Sequence, residues 1–231
     1  TEIYTLSLHD ALPILLLEAG VTIYHSSQVL GCTTLDGRIS EISIVGRGSQ
    51  FSLQAKAFID ATGDAVLAHA AGVPMLEPQG IPQPFSLYFM LTDVDTETDL
   101  LRDTIHHTGK EGLNAVSLTI RNRMIEDSER EDLPMFGGPW FCATMTKGTI
   151  FANVTRASAD AMDVREYSDA ALTLREDVQK IFHYFKKTFP EFSHSSLVMT
   201  APQVGIRESR HIKGLHVLTG EEYTCGMHFE D

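Results

Sequence analysis

Asp60-Ala61-Thr62-Gly63-Asp64 is the stretch of this chain whose residue types and spacing are best suited to hold a ligand. It follows the compact apolar run Ala57-Phe58-Ile59 and precedes the helix-like AVLAHAAG, so a strand, a glycine turn and a helix are expected in succession. Open α/β sheets bind ligands beyond the carboxyl ends of their strands. A glycine there lets backbone approach the ligand, and a helix N-terminus just after it favours anionic groups such as a pyrophosphate. Asp60 or Asp64 would then cap the helix or contact a sugar hydroxyl. A tight strand-to-helix turn with an acidic cap accounts for the same five residues without any ligand, and the pentapeptide alone leaves both readings open.

Other chemistries find less support. Ten histidines are present, but His106-His107 would point apart on a helix, no His-Glu-x-x-His occurs, and His211 to His216 has no acidic ligand set around it, so no metal site is expected. The segment from Gly205 to Ser209 does not match the Gly-x-Ser-x-Gly of a nucleophile elbow. Cys32, Cys142 and Cys225 are few, odd in number and far apart, which suits reduced thiols and a cytoplasmic compartment better than a disulfide framework or a Cys-x-x-Cys site.

Composition narrows the partners. The chain has 231 residues, 43% of them hydrophobic, enough for one large domain or two smaller ones with cores. Its net charge of −13 argues against nucleic acid or an anionic membrane surface, because binding phosphates requires a basic face. The longest apolar run, Ala11 to Leu17, contains Pro13 and falls well short of the roughly 20 residues of a membrane span. A soluble acidic enzyme fits this balance better.

The elements that must position the turn can be read along the chain. Residues 1–14, TEIYTLSLHDALPI, resemble a translated sequencing adapter and are expected to be non-native, so the natural text is read from Leu15. LLLEAG reads as the end of a helix closed by Gly20, and a strand is expected at Val21 to Tyr24. Gln28 to Thr34, the Asp36-Gly37 turn, Ile39 to Val45, the turn Gly46-Arg47-Gly48-Ser49 and a return through Phe51 and Leu53 form a meander. Four prolines from Pro74 to Pro84 mark a connector. Beyond it, a strand is expected at Phe85 to Leu91, amphipathic stretches at 96–107 and 113–125, and a solvated loop from Glu126 to Asp132. Phe141 to Met145 and Thr149 to Val154 read as a hairpin about Lys147-Gly148. Leu174, Val178, Ile181, Phe182, Phe185 and Phe189 predict a core-facing helix capped by Ser168 and stopped by Pro190, with a strand at Leu197 to Thr200 after it.

Taken together, the EAGV helix end, the meander with its Asp-Gly turn and the apolar run ending in DATGD resemble the inner part of the FAD-binding domain in flavoproteins of the glutathione-reductase-like fold. More specifically the chain resembles the FAD-dependent oxidoreductase family, which includes heterodisulfide reductase-like relatives. Pro82-Gln83-Pro84, IFANVTR from Ile150 to Arg156 and, most specifically, TAPQVGIRESRHIKG from Thr200 to Gly214 carry that resemblance. It implies FAD as cofactor, a small-molecule substrate and an electron-transfer partner, with the strand of Val29 offering backbone hydrogen bonds to the adenine. It places the Ala61-Thr62-Gly63 turn, flanked by Asp60 and Asp64, against the adenosine diphosphate. It also implies that the region from about Pro84 to Thr200 covers the isoalloxazine face. Arg207 and Arg210 become candidates to face substrate or flavin, since a guanidinium fork binds carboxylates and stabilises an anionic reduced flavin. The alternative for Arg207, Glu208 and Arg210 is an ion-pair lattice joining the domains.

Some of the family pattern is absent. The Gly-x-Gly-x-x-Gly loop that wraps the pyrophosphate does not occur, and Gly46-Arg47-Gly48 lacks the third glycine and leads into a strand. Some relatives carry an iron–sulfur cluster, which needs clustered thiolates that the cysteine spacing does not supply. The expected fold class is therefore α/β, α+β overall. It comprises a partial FAD-binding Rossmann-like domain with a β-meander at 15–83, a mixed-sheet substrate or cap domain at 84–200, and a truncated return towards the first domain at 201–231. The expected function is that of an FAD-dependent oxidoreductase acting on an unidentified small molecule, this stretch alone being inactive. A non-redox nucleotide-binding α/β protein and a β-rich interaction module are the alternatives.

Overall fold

The computed structural model describes residues 8–77, 80–101 and 118–229. The chain divides into two compact units: residues 1–77 with 210–231, and residues 78–209.

In the first unit, helix α1 (Leu8–Glu18) ends on Gly20, which takes a φ of +77° while Val21 N–H returns to the Leu16 carbonyl. Strands β1 (Ser27–Leu35), β2 (Arg38–Gly46) and β3 (Ser49–Gln54) then form an antiparallel meander in that order. Both hairpin loops have two residues, and both residues of each loop lie at positive φ: Asp36 at 49° and Gly37 at 71°, Arg47 at 51° and Gly48 at 81°. That is the turn whose twist matches paired strands, and it fixes the register. Leu30 is left over between Val29 and Gly31 as a bulge in β1. Val21 to Tyr24, expected as a strand, has no ladder; Tyr24 instead sets its ring 5.2 Å from that of Phe51.

The run from Ala57 to Ala61 corrects a second expectation. Its composition predicts a buried parallel strand, but among the described residues this segment pairs with nothing, and Ile59 is 90% exposed. A strand exists through its neighbour's hydrogen bonds, and no described strand pairs with this segment. Helix α2 (Val66–Ala70) follows, packs against β1 and buries Leu67. Residues 210–213 return to this unit: Leu76 N–H donates to the His211 carbonyl and Lys213 N–H to that of Pro74. Helix α5 (Gly220–Cys225) completes the described part, opened by a reciprocal Thr219–Glu222 capping box.

The second unit holds the main core. Its sheet runs β5 (Phe136–Ala143), β6 (Ile150–Thr155), β4 (Phe89–Thr92), β7 (Ser196–Thr200), all antiparallel. The strand expected over Phe85 to Leu91 begins only at Phe89; Phe85 and Ser86 make single bridges to Ala157 and Gly205. The stretch expected at 96–107 lies partly, and the start of that at 113–125 wholly, within residues 102–117, outside the described residues. Helix α3 (Leu118–Asp127) follows them. Helix α4 (Val164–Thr188) buries Ala170, Leu174, Val178, Ile181 and Phe185 along one stripe. Its cap is Asp163, not Ser168: the Asp163 carboxylate accepts the Arg165 and Glu166 N–H groups, while Ser168 lies in the second turn and donates to the Val164 carbonyl. The helix ends ahead of Pro190, which opens the 3-10 turn Pro190–Phe192.

Cross-strand partners share a face, so register sorts the side chains of this sheet. Phe141, Ala152 and Phe89 stand in one row, fully buried in the core with α4. Phe141, Phe185 and Phe192 meet there with ring centroids 5.0 to 6.0 Å apart. Cys142, Phe151, Met90 and Met199 form the next row and point to the opposite, open face.

Candidate functional site

The DATGD turn is held from inside. Asp60 Oδ1 accepts the Thr62 N–H at 3.1 Å and the Thr62 hydroxyl at 2.7 Å, while Oδ2 accepts the Ala68 N–H at 2.9 Å. Thr62 Oγ1 in turn accepts the Val66 N–H at 3.1 Å. Burial by itself would raise the Asp60 pKa, but the bonds from Ala68, Thr62 and Leu67 outweigh it and hold the carboxyl below its ordinary range. Asp60 thus braces the turn and the start of α2, whose N-cap position is Ala65. The same bonds correct another expectation: the first N–H groups of α2 are taken by Asp60 and Thr62, so they do not offer a cradle for a pyrophosphate.

Ala61, Thr62 and Gly63 are exposed above this base. Gly63 has a φ of +83°, and a Cβ built on it would meet nothing within 4 Å. The glycine is required by backbone conformation, and the space over the turn is open. Asp64 is half-buried, and its carbonyl receives Arg210 Nη1 at 3.2 Å. Val29 lies in β1, half-buried, beside the bulge at Leu30. Because β1 is an edge of the meander, half of its backbone groups point away from β2, the condition for backbone hydrogen bonds to a base. Edge strand, α2 and turn thus belong to one unit, with Arg210. Arg207 belongs to the other unit, is exposed and has no hydrogen bond or ion pair among the described residues. Glu208 accepts the Gln83 N–H at 3.0 Å. These features fit the adenosine side of a dinucleotide; the pyrophosphate finds no helix N-terminus here.

A second constellation escaped the sequence reading. Arg156, only 8% exposed, follows β6 and sets its guanidinium 5.0 Å from the ring centroid of Trp140. Its Nη1 donates to Asn153 Oδ1 at 2.9 Å and to the Thr155 carbonyl at 2.6 Å, and Asn153 Nδ2 donates to the Tyr88 hydroxyl at 3.0 Å. Burial, then the nearby charge of Arg207, pull the Arg156 pKa below its ordinary value. A Cβ on Gly137 would lie 2.7 Å from Nε and 2.8 Å from Cζ and Nη2, so only glycine fits while the guanidinium stays where it is. These residues come from four separate stretches, and no local spacing announces them.

Among the described residues, no three His, Cys, Asp or Glu side chains stand together as a metal site, and no helix is long and apolar enough to cross a membrane. All three cysteines are free thiols.

The family model described as FAD dependent oxidoreductase matches residues 2–231. The chain belongs to the FAD dependent oxidoreductase family. Within solved structures it is similar to a geranylgeranyl bacteriochlorophyll reductase-like protein from Thermoplasma acidophilum, with a TM-score of 0.52 and 14% identity, over 85% of this chain and 40% of that one. That likeness speaks for the fold, a mixed α/β arrangement with antiparallel sheets that agrees with the partial FAD-binding Rossmann-like class expected for the family. The chain spans less than half the length of that protein. No curated protein matches it in sequence.

Proposed function

We propose that this chain is part of a flavoprotein that moves electrons or hydride between bound FAD and a small organic substrate. The observation that carries this reading is the exposed Ala61-Thr62-Gly63 turn, pinned beneath by Asp60 and Arg210, in the same unit as the β1 edge. In this reading the turn lies against the adenosine diphosphate, and the strand of Val29 supplies backbone groups to the adenine. Arg207 and Arg210 are its candidates for facing substrate or flavin, although Arg210 already serves the turn. When bound, FAD supplies the redox chemistry, while the chain binds, orients and shields it.

The first unit buries few apolar side chains among its described residues, Ile44 and Leu67, and leaves Leu30, Ile59 and Tyr24 exposed. That surface supports a cofactor domain larger than these residues form by themselves. With no pyrophosphate cradle at α2, stable FAD binding by residues 1–231 alone is not expected, and submicromolar affinity of this chain for FAD would overturn that part. The whole protein should purify yellow, with the visible absorbance of oxidised flavin, from the cytoplasm. A colourless product that cannot be reconstituted with FAD would count against the flavoprotein reading and favour another nucleotide ligand.

A further inference from the structure

A guanidinium this deeply buried normally has a carboxylate beside it, because an uncompensated charge away from water costs several kcal/mol, on the order found for single buried ions. Arg156 forms no ion pair among the described residues, although Glu166, Asp169 and Asp177 line a cavity that it shares. Its hydrogen bonds use Nη1 alone, leaving Nε and Nη2 without a partner there. That pair of N–H groups is a parallel fork whose spacing matches the two oxygens of a carboxylate. The absence of a side chain at Gly137 lets the guanidinium pack against its backbone, where a Cβ would collide with Nε, Cζ and Nη2. A second cation, Arg207, lies near enough to act on Arg156 and likewise has no carboxylate partner among the described residues.

The surroundings specify the rest of the ligand. Trp140 and Asn153 are cross-strand partners, Asn153 holds the Tyr88 hydroxyl, and the adjoining row on the open face carries Met90 and Phe151. An anchored charge beside an aromatic and thioether surface suits an organic acid with a flat apolar body, not a bare inorganic anion.

We propose that the Nε–Nη2 edge of Arg156 binds the carboxylate of an organic-acid ligand whose apolar body lies over Trp140 and Tyr88. Asn153 and Trp140 are positioning residues that hold the guanidinium in place. That this ligand is the substrate of the redox reaction rests on the flavoprotein reading; that the site binds a carboxylate does not.

Trp140 is the single tryptophan of the chain, so its fluorescence reports on the site directly. The 231-residue chain is titrated with benzoate, with benzamide as the neutral isostere and with inorganic phosphate. A saturable change with benzoate, at least about tenfold weaker with benzamide, is expected, as for a charge-assisted pair. Arg156→Gln should weaken benzoate by at least about tenfold, and Arg156→Lys, which keeps charge but loses the fork, by an intermediate factor. If Arg156→Gln does not fold, Gly137→Ala tests the same edge without removing the charge, by crowding Nε. No saturable change with benzoate, equal binding of benzamide, phosphate displacing benzoate with equal affinity, or full affinity in both Arg156→Gln and Gly137→Ala would each overturn the proposal. None of these outcomes depends on flavin, so a colourless whole protein and a silent Trp140 refute different statements.

Discussion

Arg210 reaches back 146 residues in sequence to donate from Nη1 to the main-chain oxygen of Asp64, at 3.2 Å. It thereby joins the two most informative motifs of the chain, GIRESR and DATGD. Removing it in Arg210→Ala should cost about 1 kcal/mol of stability, the usual net worth of one such bond. Amide hydrogen exchange at residues 61–64 should accelerate more than exchange in the meander. Equal exchange in both places would show that the bond does not hold the turn.

Asp60 carries the inner half of the same structure. Asp60→Ala strips Ala68 and Thr62 of their acceptor and should cost about 1 kcal/mol, as the loss of a side-chain acceptor for helix N–H groups does. Amide shifts from Val66 to Ala70 should move towards coil values, while those of β2 and β3 stay put. A variant with an intact α2 would refute the bracing role.

Asp127 gathers three donors at the end of α3: Arg123 Nε at 2.7 Å, Arg130 Nη2 at 2.6 Å and the hydroxyl of Tyr184, from α4, at 3.1 Å. The Arg123 hydrogen bond is the largest influence and lowers the Asp127 pKa; burial opposes it, and Tyr184 and Arg130 lower it further. A depressed folded-state pKa stabilises the fold above the ordinary value of 3.8, and that contribution fades as pH falls from there through the folded value. Urea midpoints of the parent and Asp127→Asn should therefore differ at neutral pH and converge in acid. A gap that stays constant down to the acid transition would contradict this linkage.

Tyr184 answers at the other end of the scale. Burial first, then its bond to the Asp127 carboxylate, push its pKa up to about 12 from the ordinary 10.0. The protonated phenol therefore contributes fully below the ordinary value, and its contribution is lost as pH rises through the folded one. Ultraviolet titration of the folded chain should show a late phenolate step that Tyr184→Phe removes. Without such a step, the α3–α4 contact is more open than described.

What can be read in the sequence is whatever is decided locally. Asp36-Gly37 and Arg47-Gly48 set their own hairpins, because positive φ at both loop residues leaves one register open to the flanking strands. The long helix is legible from its apolar stripe, but Ser168 reads as its start because the first turn is solvated and shows no period. Asp163 followed three residues later by Glu166 is the cap signal that marks the true start. Ala57 to Ala61 misleads for the opposite reason: apolar, β-prone residues announce a strand, yet whether one forms depends on a neighbour that composition does not reveal. The turn at Asp60 to Asp64 is visible because its residues are contiguous. The cluster about Arg156 is not, since Tyr88, Trp140 and Asn153 meet only once β4, β5 and β6 are in register.

Because residues 74–76 bond to 211–213, the second unit is an insertion within the first. A ribosome delivers one half of that contact early and the other only after the entire inserted domain has emerged. Until then Pro74 and Leu76 wait without Lys213 and His211, and premature termination anywhere in the insertion leaves them with no mate. The Arg210 bond to the DATGD turn likewise closes only after the whole insertion has been made.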